Sequence, residues 1–398
     1  MEHTHEPVRV DILIVGAGPA GTSTALNLAR IDPAWTRRIA VVERAVHPRS
    51  KPCGGGITGF GSDALERLRL SLEPGHVPVR EARLGFRRRW YALRGDPVFR
   101  VVHRARLDHW LVREARARGI AVHEGEAVRG MRRVEDGFEV DTARRCVHAR
   151  AVVGADGAGS VVRRALRWPR GATHSRLFET LTPEDAAHPA WTGGVAAFDF
   201  TPAAAGIQGY FWDFPSWIDG APVMNRGVFD SGVHGRRSGP LLRGELDRCL
   251  RVRGVGDAAA HAHGFPLRPF ESGAPLSRFG VVLAGEAAGV DPLFGEGIAF
   301  ALVYGEVAAQ TLAGGFARGD LSFEDYAQRV HAHPVLSQLR LRARLARWFY
   351  RAEHPWTIGA MWAMAGVVLR LLAWRHPESV PLECPALVRI PPPIPVAQ

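Results

Sequence analysis

The sequence predicts an α/β protein: a Rossmann-like nucleotide-binding domain, an antiparallel-sheet domain inserted into it, and helices toward the C-terminal end. Three observations carry this. Apolar strand runs alternate with helical patterns near the start and again near residue 280, aromatic-rich runs broken by Pro, Gly and Asp fill the middle, and a basic amphipathic stretch followed by an apolar one comes last.

The strand run 10–15 leads into Gly16-Ala-Gly-Pro-Ala-Gly21, which opens the helical pattern 19–30. Gly16 permits a tight turn, Gly18 lets backbone approach a phosphate, and Gly21 lets helix pack on strand. The helix N-terminus attracts the anion. Strand 38–42 follows, and Glu43 stands twenty-two residues beyond Gly21, where an acid accepts hydrogen bonds from a ribose 2′-hydroxyl. An acid here disfavours a 2′-phosphate, so the nucleotide is expected to be FAD or NAD and not NADP. After helix 107–118, strand 151–155 delivers Asp156-Gly157, and strand 280–284 delivers Gly285-Glu-Ala-Ala-Gly289. A helix from Gly295 to Thr311 then presents its N-terminus to the same nucleotide. Three segments remote in sequence should therefore meet around one dinucleotide. With one fingerprint in the chain, a nicotinamide donor must dock transiently, or electrons come from a protein.

The runs Gly194 to Phe200, Gly209 to Phe214 and Asn225 to Ser231 read as antiparallel strands of a substrate domain. The expected division is 8–75, 101–166 and 276–330 for the nucleotide-binding domain, 76–100 and 167–275 for the substrate domain, and 331–389 for C-terminal helices. Residues 390–398 read as an extended Pro-rich tail. Arg340, Arg344, Arg347 and Arg351 form one helical stripe, with Leu339, Ala343, Ala346 and Tyr350 on the neighbouring face. The following segment, Trp356 to Trp374, nears the length of a membrane span but contains Arg370. The pair suits a surface anchor, the wall of a lipid tunnel, or helices packed on the protein's own core. Arg87-Arg-Arg89 beside Trp90-Tyr91 is either a site for a diphosphate or phospholipid head group, or a solvated strand edge.

The formal charge is +11, but the basic residues are spread along the chain and all but one are arginine, a pattern that argues against nucleic acid. Cys53, Cys146, Cys249 and Cys384 follow no metal-ligand spacing, so no metal is expected. The start Met1-Glu-His-Thr-His lacks a secretory pattern, and a cytoplasmic protein with free thiols is expected, with peripheral membrane contact left open.

The single lysine, Lys51, lies in Arg49-Ser-Lys-Pro-Cys-Gly-Gly-Gly56. Gly54 to Gly56 is a backbone-only stretch suited to lie against a flat ring, with Cys53 at its edge as either a proton donor or a small apolar filler. This loop, with Arg104, Leu107-Asp108 and Leu111, Gly154-Ala-Asp-Gly157, Gly209-Tyr-Phe-Trp-Asp-Phe-Pro215 and Asp291-Pro-Leu-Phe-Gly-Glu-Gly-Ile298, resembles the geranylgeranyl reductase family over roughly residues 8 to 330. That family sits within the flavoproteins that include aromatic hydroxylases and flavin-dependent halogenases.

The resemblance implies a Rossmann-like FAD-binding domain. Glu43 would bind adenosine ribose, Ala127 would lie beside adenine and Arg104 by the pyrophosphate. Gly297-Ile298 would meet the flavin, with Cys53 and Gly55 beside its isoalloxazine. Gly16, Ala17, Gly18, Gly21, Arg44, Asp156, Gly157, Glu286, Pro292 and Gly295 complete the expected cofactor shell. Position 286 departs from the family, which has aspartate there, and the Gly289 to Pro292 link is one residue shorter than in many members.

The implied reaction is hydride transfer from reduced FAD to a carbon–carbon double bond of an isoprenoid or other lipid-like substrate, with Phe198, Trp212 and Phe214 lining its pocket. An isolated alkene is a poor hydride acceptor, so an acid must protonate the second carbon. Cys53 and Tyr210 are the candidates. Two alternatives stand beside this. A monooxygenase or halogenase shares the three segments, and Asp291-Pro-Leu-Phe294 resembles the halogenase loop. However, Phe211-Trp-Asp-Phe-Pro215 is not the Trp-x-Trp-x-Ile-Pro box, and Gly289 stands where hydroxylases carry histidine. A non-catalytic prenyl carrier of the Rab escort type is the other.

Overall fold

The computed structural model describes residues 8–375 apart from 170, 172–173, 236–238 and 353, with no side chains described at 239–240 or beyond 366. The expectations for the first five residues, for Cys384, for the tail 390–398 and for the side chains of Arg370 and Trp374 lie outside the described residues.

Strands sort into two sheets of eight. In the first, Val281–Leu283, Cys146–Gly154, Val8–Val15, Ile39–Val42 and Ala121–His123 run parallel in that order. Ile12, Leu13 and Ile14 are fully buried at its centre, so this strand is a continuous apolar run rather than an alternating one. An antiparallel meander of Val128–Val134 and Gly137–Thr142 joins the sheet through Cys146–Gly154. Helix Pro19–Ile31 packs on Arg104–Ala117 and on Ile298–Arg318, and Ser23 donates its hydroxyl to the Leu302 carbonyl at 2.7 Å to fix that crossing. Ile298–Arg318 is the one helix among the described residues long and apolar enough to cross a membrane, and it is a buried core helix here. It begins three residues after the expected Gly295 and outruns Thr311, because Gly295 adopts a left-handed conformation that postpones the first helical turn.

The second sheet runs His263–Leu267, Ser175–Pro183, Ala221–Asp230, Gly209–Ile218, Val195–Asp199, His76–Phe86, Arg89–Val102, Gly56–Thr58. The stretch 56–58 and residues 101–102 thus lie in this sheet, not with the nucleotide-binding segments where the sequence reading put them. Gly55 turns at φ 76° and its carbonyl accepts the Val102 N–H, which commits the next residues to antiparallel pairing with Arg89–Val102.

Alternation gives this sheet two different faces. Phe211 and Val228 turn to helix Gly239–Val252, with Leu242 and Leu246. Tyr210, Trp212, Phe214, Phe229 and Leu177 turn the other way, into a cluster that also holds Phe86, Ile358 and Trp362. Helix Gln338–Phe349 buries Leu339, Ala343 and Ala346, with Tyr350 just beyond it, and leaves the arginine stripe in solvent. It packs on the core, as the third of the three expected options had it, and the exposed Leu341, Leu345, Trp348, Trp356 and Met364 leave an apolar edge outward.

Candidate active site

Two strand ends and a glycine turn bring the expected segments together. Gly16 turns at φ 103°, with its N–H on the Val42 carbonyl at 2.8 Å; a Cβ there would strike the backbone of Ala155 and Asp156. Glycine is required by that close approach of two strands. Helix Pro19–Ile31 starts from Gly18 with no side-chain cap, which leaves its first N–H groups free for an anion. Glu43, buried, accepts the Ala17 N–H at 2.9 Å and the Ala45 N–H at 3.0 Å. Arg44 beside it is exposed, and the Ala127 carbonyl holds the Ala143 N–H at 2.8 Å.

The Arg104 fork grips Asp108 at 3.0 and 2.9 Å one helical turn along, both groups buried. Arg49 shares that aspartate and lies against the glycine turn: its Nη2 is the nearest atom to a Cβ on Gly18 and pairs with Asp108 at 3.1 Å. Burial disfavours the Asp108 charge, but Arg104 and Arg49 outweigh it and hold this carboxyl below its ordinary range. Sequence reading missed Arg49, although it opens the same loop as Lys51.

Asp156 caps the short helix Val161–Ala165 by accepting the Val161 and Val162 N–H groups at 2.6 and 3.2 Å through one oxygen. Burial pushes its carboxyl up. Lys51 meets Glu286 at 3.0 Å, with its ammonium 5.0 Å from the Phe265 ring. The extra methylene at 286 thus finds a cation.

The second oxygens of Asp156 and Glu286 and the Nε of Arg49 are buried without hydrogen-bond partners. Two acceptors and a donor, unpaired around an uncapped helix start, match the hydroxyls and phosphates of FAD. Gly157 and the start of helix Ile298–Arg318 at Gly297, also uncapped, close the same space. When bound, a reduced flavin supplies a hydride.

The loop that follows Lys51 lies on the second sheet. A Cβ on Gly54 would come 3.0 Å from Phe214 and 3.5 Å from Trp212, so the turn lies flat against those rings. Asn225 ties it down: its amide donates to the Cys53 carbonyl at 2.9 Å and to Glu179 at 2.7 Å, and its carbonyl accepts the Trp212 indole N–H at 2.8 Å. Burial raises the Glu179 carboxyl to about 7, against the opposing pull of Asn225, the Cys53 backbone and Arg104. Glu179 belongs to no motif; strand alternation, which puts it on the same face as Leu177, is the only sequence signal it leaves.

The two expected acids have different surroundings. Cys53 is half-buried and its thiol accepts the Gly55 N–H at 3.4 Å. Tyr210 donates to the Phe294 carbonyl at 2.5 Å among Phe198, Phe200 and Phe229, and burial drives its hydroxyl well above the usual phenol range. That hydroxyl fixes the 291–297 loop. Pro292 in the same loop gives its carbonyl to Ser231 at 2.5 Å, and Asp291 accepts the Leu293 and Phe294 N–H groups at 2.8 and 3.2 Å. Arg342 reaches in from helix Gln338–Phe349 to Asp291 at 2.8 Å and Glu296 at 2.6 Å. Phe198 and Phe214 pack at 4.9 Å between ring centres, tilted by 60°, beside Phe99.

Residues 9–192 match the model of the FAD binding domain. The chain is 29% identical over 328 residues to a menaquinone reductase of Mycobacterium tuberculosis, covering 76% of each chain. It is 28% identical over 360 residues to digeranylgeranylglycerophospholipid reductase 3 of Methanosphaera stadtmanae, covering 81% of this chain and 83% of that one. The chain is an FAD-dependent oxidoreductase, similar to these quinone and lipid reductases. The fold agrees. A geranylgeranyl bacteriochlorophyll reductase-like protein of Thermoplasma acidophilum superposes with a TM-score of 0.74 at 20% identity, over 94% of this chain and 98% of that one. The halogenase PltM, in a structure with FAD, shares the fold at a TM-score of 0.66 and 16% identity, over 93% of this chain and 83% of that one.

Proposed function

We propose that this oxidoreductase saturates carbon–carbon double bonds of an isoprenoid chain carried on a lipid or quinone. The observation that supports this best is the glycine turn after Cys53, laid flat on the Trp212–Phe214 wall between the FAD-binding segments and an aromatic cluster. A flat ring and a long apolar chain need such a surface, with few polar groups to fix position. Similarity to reductases of menaquinone and of digeranylgeranylglycerophospholipid supports the substrate class. Electrons come from a transiently docked nicotinamide or a protein donor.

Lipid substrates are met at a membrane surface on the cytoplasmic side. The two-residue turn between strands His76–Phe86 and Arg89–Val102 exposes Arg87 and Arg88, with Arg89 beside them. With Phe86, Pro355, Trp356 and Gly359 they line an open groove of about 610 Å³. Phe86 belongs to the same apolar cluster as Trp212 and Phe214, so the groove and the Cys53 turn share one interior. Guanidinium groups over an apolar floor suit an anionic head group.

The test is mass spectrometry of detergent-dispersed menaquinone and digeranylgeranylglycerophospholipid after anaerobic incubation with photoreduced holoenzyme. Gains of two hydrogens per step are expected. Product carrying oxygen or halogen, formed on admitting air and halide, overturns the reading in favour of the monooxygenase or halogenase alternative. Purified protein that never takes up FAD leaves the prenyl-carrier reading.

A further inference from the structure

Hydride addition to an isolated double bond needs a proton at the other carbon, and the acid must be protonated near neutral pH and reachable from the flavin face. The described residues around the Cys53 turn offer three hydroxyl, thiol or carboxyl groups. The Tyr210 hydroxyl is bonded to the Phe294 carbonyl, and the Cys53 thiol takes the Gly55 N–H. Glu179 is different. One of its oxygens is held by Asn225 at 2.7 Å, and the same amide holds the Cys53 carbonyl, so one side chain locks the carboxyl to the turn. The residue is only part-buried, and the Cys53 backbone lies beside its carboxyl. The carboxyl is therefore oriented at the turn in a residue that is not fully enclosed.

We propose that Glu179 is the catalytic acid of this site, delivering the proton that completes reduction of the double bond. The inference rests on the reductase reading above. In the step, the alkene π bond breaks; one carbon forms a C–H bond with hydride supplied by the reduced flavin, and the π electron pair forms the second C–H bond with the Glu179 proton. The alkene gains two electrons and the flavin loses two. Glu179 is left as carboxylate and takes its next proton from water through its open side.

Burial raises it, and the groups that oppose burial are neutral Asn225 from Ala221–Asp230, the Cys53 backbone and Arg104 from helix Arg104–Ala117; His263 stands opposite it in register on His263–Leu267. Arg226, next to Asn225, faces away and pairs with Asp213 and Glu184. Among the described residues, no cation forms an ion pair with Glu179. A carboxyl bonded to an amide in apolar surroundings stays protonated to neutral pH.

Glu179→Gln keeps the bond to Asn225 and cannot release a proton; Glu179→Asp keeps the acid and shortens it. Infrared titration of holoenzyme without substrate should show a protonated carboxyl band that titrates near neutrality and is missing from Glu179→Gln. Both variants should keep the flavin spectrum of the wild type. On the two lipid probes, Glu179→Gln should lose at least about a hundredfold in kcat, with partial recovery in Glu179→Asp. The wild-type rate should fall as pH rises past the infrared midpoint, and Glu179→Gln should show no such limb. Glu179→Gln turning over within a few-fold of wild type, or a carboxyl ionising in the ordinary acid range, overturns the proposal while leaving the reductase reading in place. A wild type that keeps the infrared signature but reduces neither lipid overturns the reductase reading itself, and the donor role with it.

Discussion

Lys51 and Glu286 answer each other across the floor of the flavin site. A longer carboxylate at 286 spans to an ammonium that arrives on a flexible stem, and its second oxygen is buried without a partner, as a contact to a coenzyme hydroxyl would require. Glu286→Gln should therefore keep the fold but weaken FAD binding by about tenfold or more, since a hydrogen bond to a charged group is worth about 1.5–3 kcal/mol. Fluorescence titration of apoprotein with FAD checks this. Asp108 carries a different load, compensating both Arg104 and Arg49. Replacing it by Asn strands buried Arg104 and part-buried Arg49 and should cost about 3–5 kcal/mol, seen as a lowered midpoint in urea. Because its folded carboxyl titrates below the ordinary value, this stabilisation is complete at neutral pH and fades only as pH falls below about 4. Glu179 has the opposite sign: with a folded value near 7 it favours the fold below about 4.5, and that contribution is lost as pH rises through neutrality. Thermal melts of wild type and Glu179→Gln between pH 4 and 8 should diverge in that direction.

At the scale of elements, the helix Gln338–Phe349 does two jobs at once. Its buried face of Leu339, Ala343 and Ala346 packs on the core, and Arg342 reaches the loop that precedes helix Ile298–Arg318. Arg342→Ala leaves Asp291 and Glu296 without their cation and should loosen that loop, lowering FAD affinity several-fold in the same titration. The neighbouring groove is an independent matter. Arg87→Glu with Arg89→Glu should cut sedimentation with anionic vesicles by about tenfold, should leave neutral vesicles unaffected, and should mimic the effect of added salt on the wild type. The strands and helices that hold the glycines were legible because apolar period and turn residues agree there. The Arg104–Asp108 pair was not read from the sequence, although an arginine four residues before an aspartate on a helix can pair locally. The strand 56–58 was not read from the sequence because three residues carry no period, and their partner is fixed by the Gly55 turn.

Across the whole molecule, the loop of residues 49–56 joins the two sheets, its start on the glycine turn and its end a strand of the second sheet. The aromatic-rich runs of the second sheet were legible as antiparallel strands from their composition. Their placement against the nucleotide-binding segments was not, because it depends on Asn225 and Glu179, polar residues inside an otherwise apolar strand face. Bound FAD should therefore stabilise both parts together: at a free concentration a thousand times Kd the gain is about 4 kcal/mol, and a single cooperative melt should shift upward. Two separate transitions, one of them insensitive to FAD, would contradict that coupling.

The reach of Arg342 into the 291–297 loop has a practical side. Anyone shortening the gene before codon 338, to shed the sticky outer edge of Leu341, Leu345 and Trp348 and ease purification, would also remove the clasp on the coenzyme's doorstep. Such a trimmed product should come off the column pale, for a reason that has nothing to do with the nucleotide fingerprint it still carries.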